Sequence, residues 1–408
     1  MRTVGERAVG SGAAPIEIAL RGEDGRDLGA IAIDSTVAGR ARGGLRISPR
    51  ADATEVRPLA RAMTLKYGFL GLPQGGAKGA ARGDPEAPSD ERRRTLSAFA
   101  RAAAPILRSG LYLPDADLGT RNADIRRVLE TAGVQPRRRE WRGERSGEWT
   151  ALTTFAALRQ AAQRVGTPVA GARVAIEGFG AVGGALAGLL AAAGARIVAV
   201  STSRGGLHDP GGLDMARLLA AAARDGSGFV ERFADRRIAA SEVPVLPLDY
   251  LCPCAVGETI HEGNADDVAA RAVVPGANLP CTPAAERRLA ERGIVCVPDF
   301  LANCGGALGG TMEFAGVDDA GIRAFVEGEI GPRIGRVLDL ADTRGVPPRA
   351  VAEEIALAHH AEVRRAAEAG GARVLGAALE LHRRSWLPAR LVGIAAVGWF
   401  RRAVAEVP

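Results

Sequence analysis

The segment RVAIEGFGAVGGALAGLL constrains the fold more than any other part of the chain. Residues 173–176 have the apolar character of a buried strand. They lead into Gly178-x-Gly180-x-x-Gly183, after which small apolar residues suited to a closely packed helix begin. Glycine in the first position permits the tight turn, in the second lets the backbone approach a pyrophosphate, and in the third lets helix and strand pack closely. The free amides of the helix N-terminus then face the phosphates. Glycine-rich turns are common in a chain with 53 glycines, so it is the preceding strand and the following helix that make this a dinucleotide fingerprint. Gly178, Gly180, Ala181, Val182 and Gly183 are therefore expected to bind the cofactor. At the end of the next strand an acid would accept from the ribose of NAD. Thr202, Ser203 and Arg204 stand there instead. No carboxylate repels a 2′-phosphate and Arg204 can pair with one, which tilts NADP or NAD towards NADP; an Arg204 that simply faces solvent would leave both open.

Strands and helices alternate around the fingerprint. Strands are expected at residues 173–176, 196–200, 248–251, 272–274 and 294–297, with helices between them, such as 283–292 capped by Thr282 and stopped by Gly293. Such alternation predicts a parallel, doubly wound sheet covered on both faces. With 408 residues, 47% apolar, the chain can form two domains, each with its own core. The polar, charged stretch 136–149 reads as a linker or hinge, placing the boundary near residue 147. Before it, residues 31–33, 45–47 and 111–113 read as strands. Residues 52–69 read as a helix with Val56, Leu59, Ala60 and Met63 on one face and Pro58 in its first turn. Residues 73–80 read as a glycine-rich loop, and 89–109 as one helix capped by Ser89 and stopped by Gly110.

Only two of the 53 basic residues are lysines, Lys66 and Lys78; the other 51 are arginines. Arginine stays charged in proteins, whereas a buried lysine can approach neutrality. A chain that otherwise uses arginine, yet keeps two amines twelve positions apart, points to a need for an amine. Lys78 stands in GGAKGA, where backbone can come close to a ligand and a second lysine can depress its pKa. The bland alternative is two surface lysines that escaped a compositional bias.

The formal charge is +6, but arginines alternate with acids and no aromatics interleave, so nucleic-acid binding is not expected. The densest basic run, 137–142, reads as solvated linker. The five cysteines all follow residue 250, and no secretory leader opens the sequence. The late apolar stretch 391–400 is about half a membrane span. A reduced, cytoplasmic setting without membrane attachment is expected. Cys252 and Cys254 are too closely spaced for a usual zinc pair, so no metal is expected.

At these lysines the sequence resembles the glutamate/leucine/phenylalanine/valine dehydrogenase family, from about residue 35 to 313. The resemblance rests on ARGGLR (41–46), MTLKYGFLGLPQGGAKGA (63–80), YLPDADLGT (112–120), GAN (276–278) and ANCGG (302–306), in that order. It implies an α/β chain of two domains. Residues 1–147 would form an N-terminal substrate and oligomerisation domain, with helices from 346–408 packing back on it, and 148–345 a Rossmann-type nucleotide-binding domain. It implies reversible NAD(P)-dependent oxidative deamination of an L-amino acid to a 2-oxo acid and ammonia, in a homo-oligomer whose hinge closes a cleft. By the same resemblance Lys66 binds the α-carboxylate, Lys78 is the catalytic lysine and Asp117 the catalytic carboxylate, with Asp115 as competitor. Arg42, Gly43, Gly44, Thr150, Asn303, Ala307 and Gly310 would line the substrate, and Cys254, Ala255, Asn278 and Asn303 the nicotinamide end of the cofactor.

Arg42 stands where glutamate enzymes of the family carry Lys and apolar-substrate enzymes Leu. Gly310 stands where they carry Ser and Val, and Ala307 widens the pocket. The charge at Arg42 favours glutamate, while the two small residues admit an apolar or aromatic amino acid. A non-catalytic regulatory relative is the reading from another class, and retention of Lys66, Lys78 and Asp117 argues against it.

Overall fold

The computed structural model describes residues 15–135, 145–255, 257–369 and 397–402. The core of the expected linker, the arginine run 137–142 and most of the expected helical tail lie outside the described residues. The chain divides into two compact units. One comprises residues 1–144 with 355–387, the other 145–354 with 388–406.

The first unit is built on a mixed five-stranded sheet of β1 (Ile16–Arg21), β2 (Asp27–Ile33), β3 (Ala41–Ser48), β4 (Gly75–Arg82) and β5 (Tyr112–Ala116), in the order β1-β2-β4-β3-β5. β1 and β4 run antiparallel to β2, while β4 and β5 run parallel to β3. The helix Ala53–Leu70 covers one face. Asp52 caps it by accepting from the amides of Thr54 and Glu55, and Gly71 ends it in the left-handed conformation. Its Val56 and Ala60 meet Ala30, Ala32 and Ala80 of the sheet. Pro58 lies beyond the first turn, against expectation. It is on the solvent side, where the helix tolerates its missing amide hydrogen. On the other face Leu96, Phe99, Ile125 and Val128 pack against Ile31, Leu45, Ile47 and Tyr112.

Two further expectations for this unit need correction. Residues 89–109 form two helices, Ser89–Ala102 and Ala104–Ser109, with Pro88 at the first cap in place of Ser89. Pro105 explains the break, because its ring would clash with a carbonyl one turn earlier in a continuous helix. The glycine-rich stretch is mostly strand: β4 pairs with both β2 and β3. Its glycines answer to packing. A Cβ at position 76 would lie 2.3 Å from the Thr64 backbone nitrogen, and one at 79 would lie 2.8 Å from the Tyr112 hydroxyl.

The second unit holds a seven-stranded sheet of β6 (Arg173–Glu177), β7 (Arg196–Thr202), β8 (Gly205–His208), β9 (Arg237–Ile238), β10 (Tyr250–Pro253), β11 (Ala272–Val273) and β12 (Val295–Cys296). The order is β12-β11-β10-β6-β7-β8-β9. The five strands from β12 to β7 are parallel, as alternation with helices requires. β8 and β9 are antiparallel additions at one edge. Only Ser203 and Arg204 separate β7 from β8, too few residues for the crossover a parallel strand needs. The helix Ser146–Val165 begins inside the stretch expected to be linker. Trp149 anchors it: the indole is buried, and a Cβ at Gly309 would lie 2.3 Å from the ring.

Candidate functional site

In the first unit a charged cluster forms between the sheet and the helix Ala53–Leu70. Lys78 is on β4, and Asp117 immediately follows β5. Lys78 Nζ lies 2.7 Å from Asp117 Oδ2, and Arg46 Nε on β3 lies 2.9 Å from the same oxygen. Arg46 also reaches Glu55 at 3.2 Å, and Glu55 accepts from the Ala51 amide. Thr120 Oγ1 accepts from the Asp117 amide and donates to the Leu45 carbonyl, fixing the turn that carries the carboxylate.

Burial governs the amine. Lys78 is 2% exposed. Desolvation pushes its pKa down; the Asp117 charge pulls it back and the Arg46 charge pushes it down again, for a net lowering. Burial pushes Asp117 up, but the charges and hydrogen bonds of Lys78 and Arg46 outweigh it and hold the carboxyl well below the usual range. The cluster is therefore an ammonium–carboxylate pair whose ammonium releases its proton more readily than a free lysine. Lys66 is buried on the helix Ala53–Leu70. Two-point pairing ties Arg42 to Asp115, Nε to Oδ2 at 2.6 Å and Nη2 to Oδ1 at 2.7 Å. The two carboxylates of YLPDADLGT thus have separate partners: Asp117 has the lysine and Asp115 has Arg42.

Gly43 and Gly44 let these elements meet. A Cβ at 43 would lie 1.7 Å from the Ala77 carbonyl oxygen. One at 44 would lie 2.7 Å from Asp117 Cβ and 3.1 Å from Lys78 Nζ. Gly44→Ala is thus expected to displace both groups and lower kcat about 10²-fold without removing either. A variant with unchanged kcat would show that their spacing does not matter.

In the second unit Gly178, at φ +92°, turns the chain from β6 towards the helix Ala181–Ala192. A Cβ there would lie 2.5 Å from the Ala255 amide nitrogen, and one at Gly183 2.0 Å from the Gly178 carbonyl oxygen. Nothing lies within 4 Å of a Cβ at Gly180, the N-cap of that helix. Two of the glycines thus serve packing, and the third leaves open space over the helix amides, as a pyrophosphate requires. Val182, Cys254 and Thr154 surround Gly276, where a Cβ would lie 2.7 Å from Val182 Cγ1 and 2.8 Å from Cys254 Sγ. Burial pushes the Cys254 thiol up to about 12, so it is neutral near pH 7. Asn303 Nδ2 donates to the Ala277 carbonyl at 2.8 Å and to Asn278 Oδ1 at 3.0 Å, while its own Oδ1 is buried and unpartnered. An acceptor left open beside this loop suits a carboxamide donor such as that of nicotinamide. Cradle and acceptor together fit a nicotinamide dinucleotide.

Thr202 ends β7, and Ser203 and Arg204 form the exposed turn into β8. Arg237 Nη2 donates to the Arg204 carbonyl at 3.2 Å, placing a second exposed arginine at this corner. Thr150, Ala307 and Gly310 lie in the second unit. Thr150 Oγ1 lies 3.0 Å from a Cβ built at Gly306, beside Ala307, and Gly310 is exposed. The lysines, Arg42, Gly43 and Gly44 lie in the first unit, so the expected substrate residues are split between the two. Arg46, Glu55 and Arg237 were not among the sequence candidates. Arg46 closes the ARGGLR motif, which was the available signal; nothing local marks Arg237. Among the described residues no group of three or more His, Cys, Asp or Glu is placed to hold a metal ion, and no helix is long and apolar enough to cross a membrane.

A dinucleotide cradle in one unit and a buried lysine–carboxylate pair in the other define a nicotinamide-dependent oxidoreductase with acid–base machinery. The Glu/Leu/Phe/Val dehydrogenase dimerisation-domain model matches residues 16–133, and the Glutamate/Leucine/Phenylalanine/Valine dehydrogenase model matches 144–366. The NAD-specific glutamate dehydrogenase of Staphylococcus aureus is 38% identical over 280 residues, covering 66% of this chain and 67% of that protein. The NADP(+)-dependent glutamate dehydrogenase of Pyrobaculum calidifontis is 35% identical over 289 residues, 67% and 69% of the two chains. Among solved structures, the hetero-hexameric glutamate dehydrogenase of Thermus thermophilus in its Leu-bound form superposes with a TM-score of 0.72. It is 28% identical, over 86% of this chain and 88% of that one. This chain belongs to the Glu/Leu/Phe/Val dehydrogenase family, oxidoreductases that act on the CH–NH2 group of amino acids with NAD or NADP.

Proposed function

We propose that the chain deaminates L-glutamate in preference to other amino acids, with Lys78 as base and Asp117 as proton carrier. The observation that carries the assignment is the 2.7 Å contact between a buried lysine and a carboxylate, in a chain with one other lysine. The net reaction takes amino acid, water and oxidised nucleotide to 2-oxo acid, ammonium, reduced nucleotide and a proton. Lys66, as ammonium, holds the α-carboxylate. The nicotinamide supplies the acceptor for the hydride that leaves Cα. Lys78, with its lowered pKa, takes a proton from the water that attacks the resulting iminium carbon. Asp117 carries protons to and from the nitrogen as the carbinolamine collapses to 2-oxo acid and ammonia. Arg46 keeps Asp117 ionised and aimed. Gly178, Gly180, Ala181, Val182 and Gly183 would hold the pyrophosphate, with Cys254, Ala255, Asn278 and Asn303 at the nicotinamide end. Arg42 would meet the far end of the substrate side chain; Gly310 and Ala307 are the two small residues of the expected substrate set. Their small size supports the second substrate reading, an apolar or aromatic amino acid.

For the cofactor, Thr202, Ser203 and Arg204 with the newly found Arg237 favour NADP. Replacing both arginines by serine is expected to raise KM for NADPH about tenfold and to leave that for NADH unchanged. Equal effects on both would remove the arginines from phosphate recognition. The overall reading is tested by following oxidation of NADPH and NADH with ammonia and a panel of 2-oxo acids. Oxidation with 2-oxoglutarate above the others supports glutamate; oxidation only with branched or aromatic 2-oxo acids moves the substrate to the apolar class. No oxidation by a protein that binds nucleotide overturns the catalytic reading. A homo-oligomer is supported by the match to a dimerisation-domain model, and a reducing cytoplasm by the five free cysteines.

A further inference from the structure

The Arg42–Asp115 pair has a role that the reaction itself does not require. Asp115 is opposite Gly44 in the parallel register of β3 and β5, two residues before Asp117. Its two oxygens take Nε and Nη2 of Arg42, the geometry a substrate carboxylate would otherwise adopt on a guanidinium. Both charges also act on buried Tyr67, which adjoins Lys66, so the pair belongs to the neighbourhood of the substrate-binding lysine. The side chains remain 41% and 39% exposed. Water screens a pair at that exposure and the contact is weak enough to open. An acidic side chain reaching Arg42 must therefore displace Asp115 and then stay beside its negative charge.

We propose that Asp115 is a positioning residue that sets side-chain specificity: by occupying Arg42 it cancels the charge that draws an acidic substrate. The pocket then discriminates less between glutamate and neutral amino acids of the same length. This rests on the proposed placement of Arg42 at the side-chain end of the substrate. Arg42 supplies the preference for glutamate, and Asp115 limits its size.

The test compares the full-length wild type with Asp115→Asn and Asp115→Glu. Calorimetry measures binding of glutarate and of valerate, and kinetics measures kcat/KM for glutamate and norvaline. Asp115→Asn is expected to raise the glutarate-to-valerate affinity ratio about tenfold, since it removes a like charge from the path of the incoming carboxylate. The glutamate-to-norvaline ratio should rise in parallel, and Asp115→Glu, which keeps the charge, should restore both towards wild type. A purely structural role would change both ligands together and leave the ratios alone. Ratios within twofold of wild type in a folded Asp115→Asn protein overturn the proposal, and Asp115→Ser replaces that variant if it does not fold. Absence of turnover with every amino acid overturns the dehydrogenase reading instead, because the binding ratio is measured without turnover.

Discussion

Lys78→Met and Lys78→Arg are each expected to lower kcat for deamination about 10³-fold or more, with the fold retained. Methionine keeps the length and apolar stem but loses the amine; arginine keeps the charge but cannot release a proton near neutral pH. Neither change orphans Asp117, which still has Arg46 2.9 Å away, so melting temperatures should change little. In the wild type, the deamination rate should rise with pH as the amine loses its proton. The midpoint should fall below the 10.5 of an unperturbed lysine, because burial lowers the pKa in spite of Asp117. Near-normal turnover in Lys78→Arg would end the assignment of Lys78 as base. A midpoint at or above the free value would mean that burial is not what tunes it.

Arg349→Met is expected to destabilise the protein by about 3–5 kcal/mol, the range for removing one partner of a buried ion pair. Arg349, at the start of the helix Pro348–Glu368, pairs with Glu286 and, at 2.8 Å, with Asp299. Asp299 is 1% exposed and Glu286 7%. Without the guanidinium, two carboxylates share a dry site. Burial already pushes Glu286 up, with Arg349 holding it back. In the variant Glu286, no longer held back by Arg349, would have a folded pKa above its unfolded one. The unfolded state then binds fewer protons than the folded state around neutrality, so the variant's deficit should shrink as pH falls from 8 towards 5. Chemical denaturation at several pH values measures this; a deficit under about 1 kcal/mol would mean the cluster is held by something other than Arg349. A functional loss should accompany it. Asp299 Oδ2 accepts from the Leu279 amide at 2.9 Å and so holds a residue at φ +51° next to Asn278, which bonds Asn303.

The nucleotide unit was legible because its signals are local. The Gly178–Gly183 pattern needs no long-range knowledge, and Thr282 and Gly293 cap and stop their helix as read. Antiparallel β8 and β9 were missed because a two-residue turn of Ser and Arg has no marked turn signature. In the first unit the stretch 73–80 reads as a loop from its glycines alone. Its conformation is set by β2 and β3 on either side, and its composition by Thr64 and Tyr112, distant in sequence. Tertiary contact overrides propensity there. The two lysines were singled out by composition, but no composition shows Arg46 between Asp117 and Glu55, or Asp115 engaging Arg42. The Asp115 and Asp117 pairings join the parallel strands β3 and β5, and the Glu55 pairing joins β3 to the helix Ala53–Leu70; only the folded register reveals them.

Burial of both lysines, 6% and 2% exposed, has a practical consequence. All other basic side chains except the five histidines are guanidinium groups, so the folded surface offers no lysine amine to acylating reagents, aldehydes or lysine-modifying enzymes. Such chemistry finds an amine side chain only at Lys66 or Lys78, so the rate of side-chain acylation reports access to the candidate site without an engineered probe.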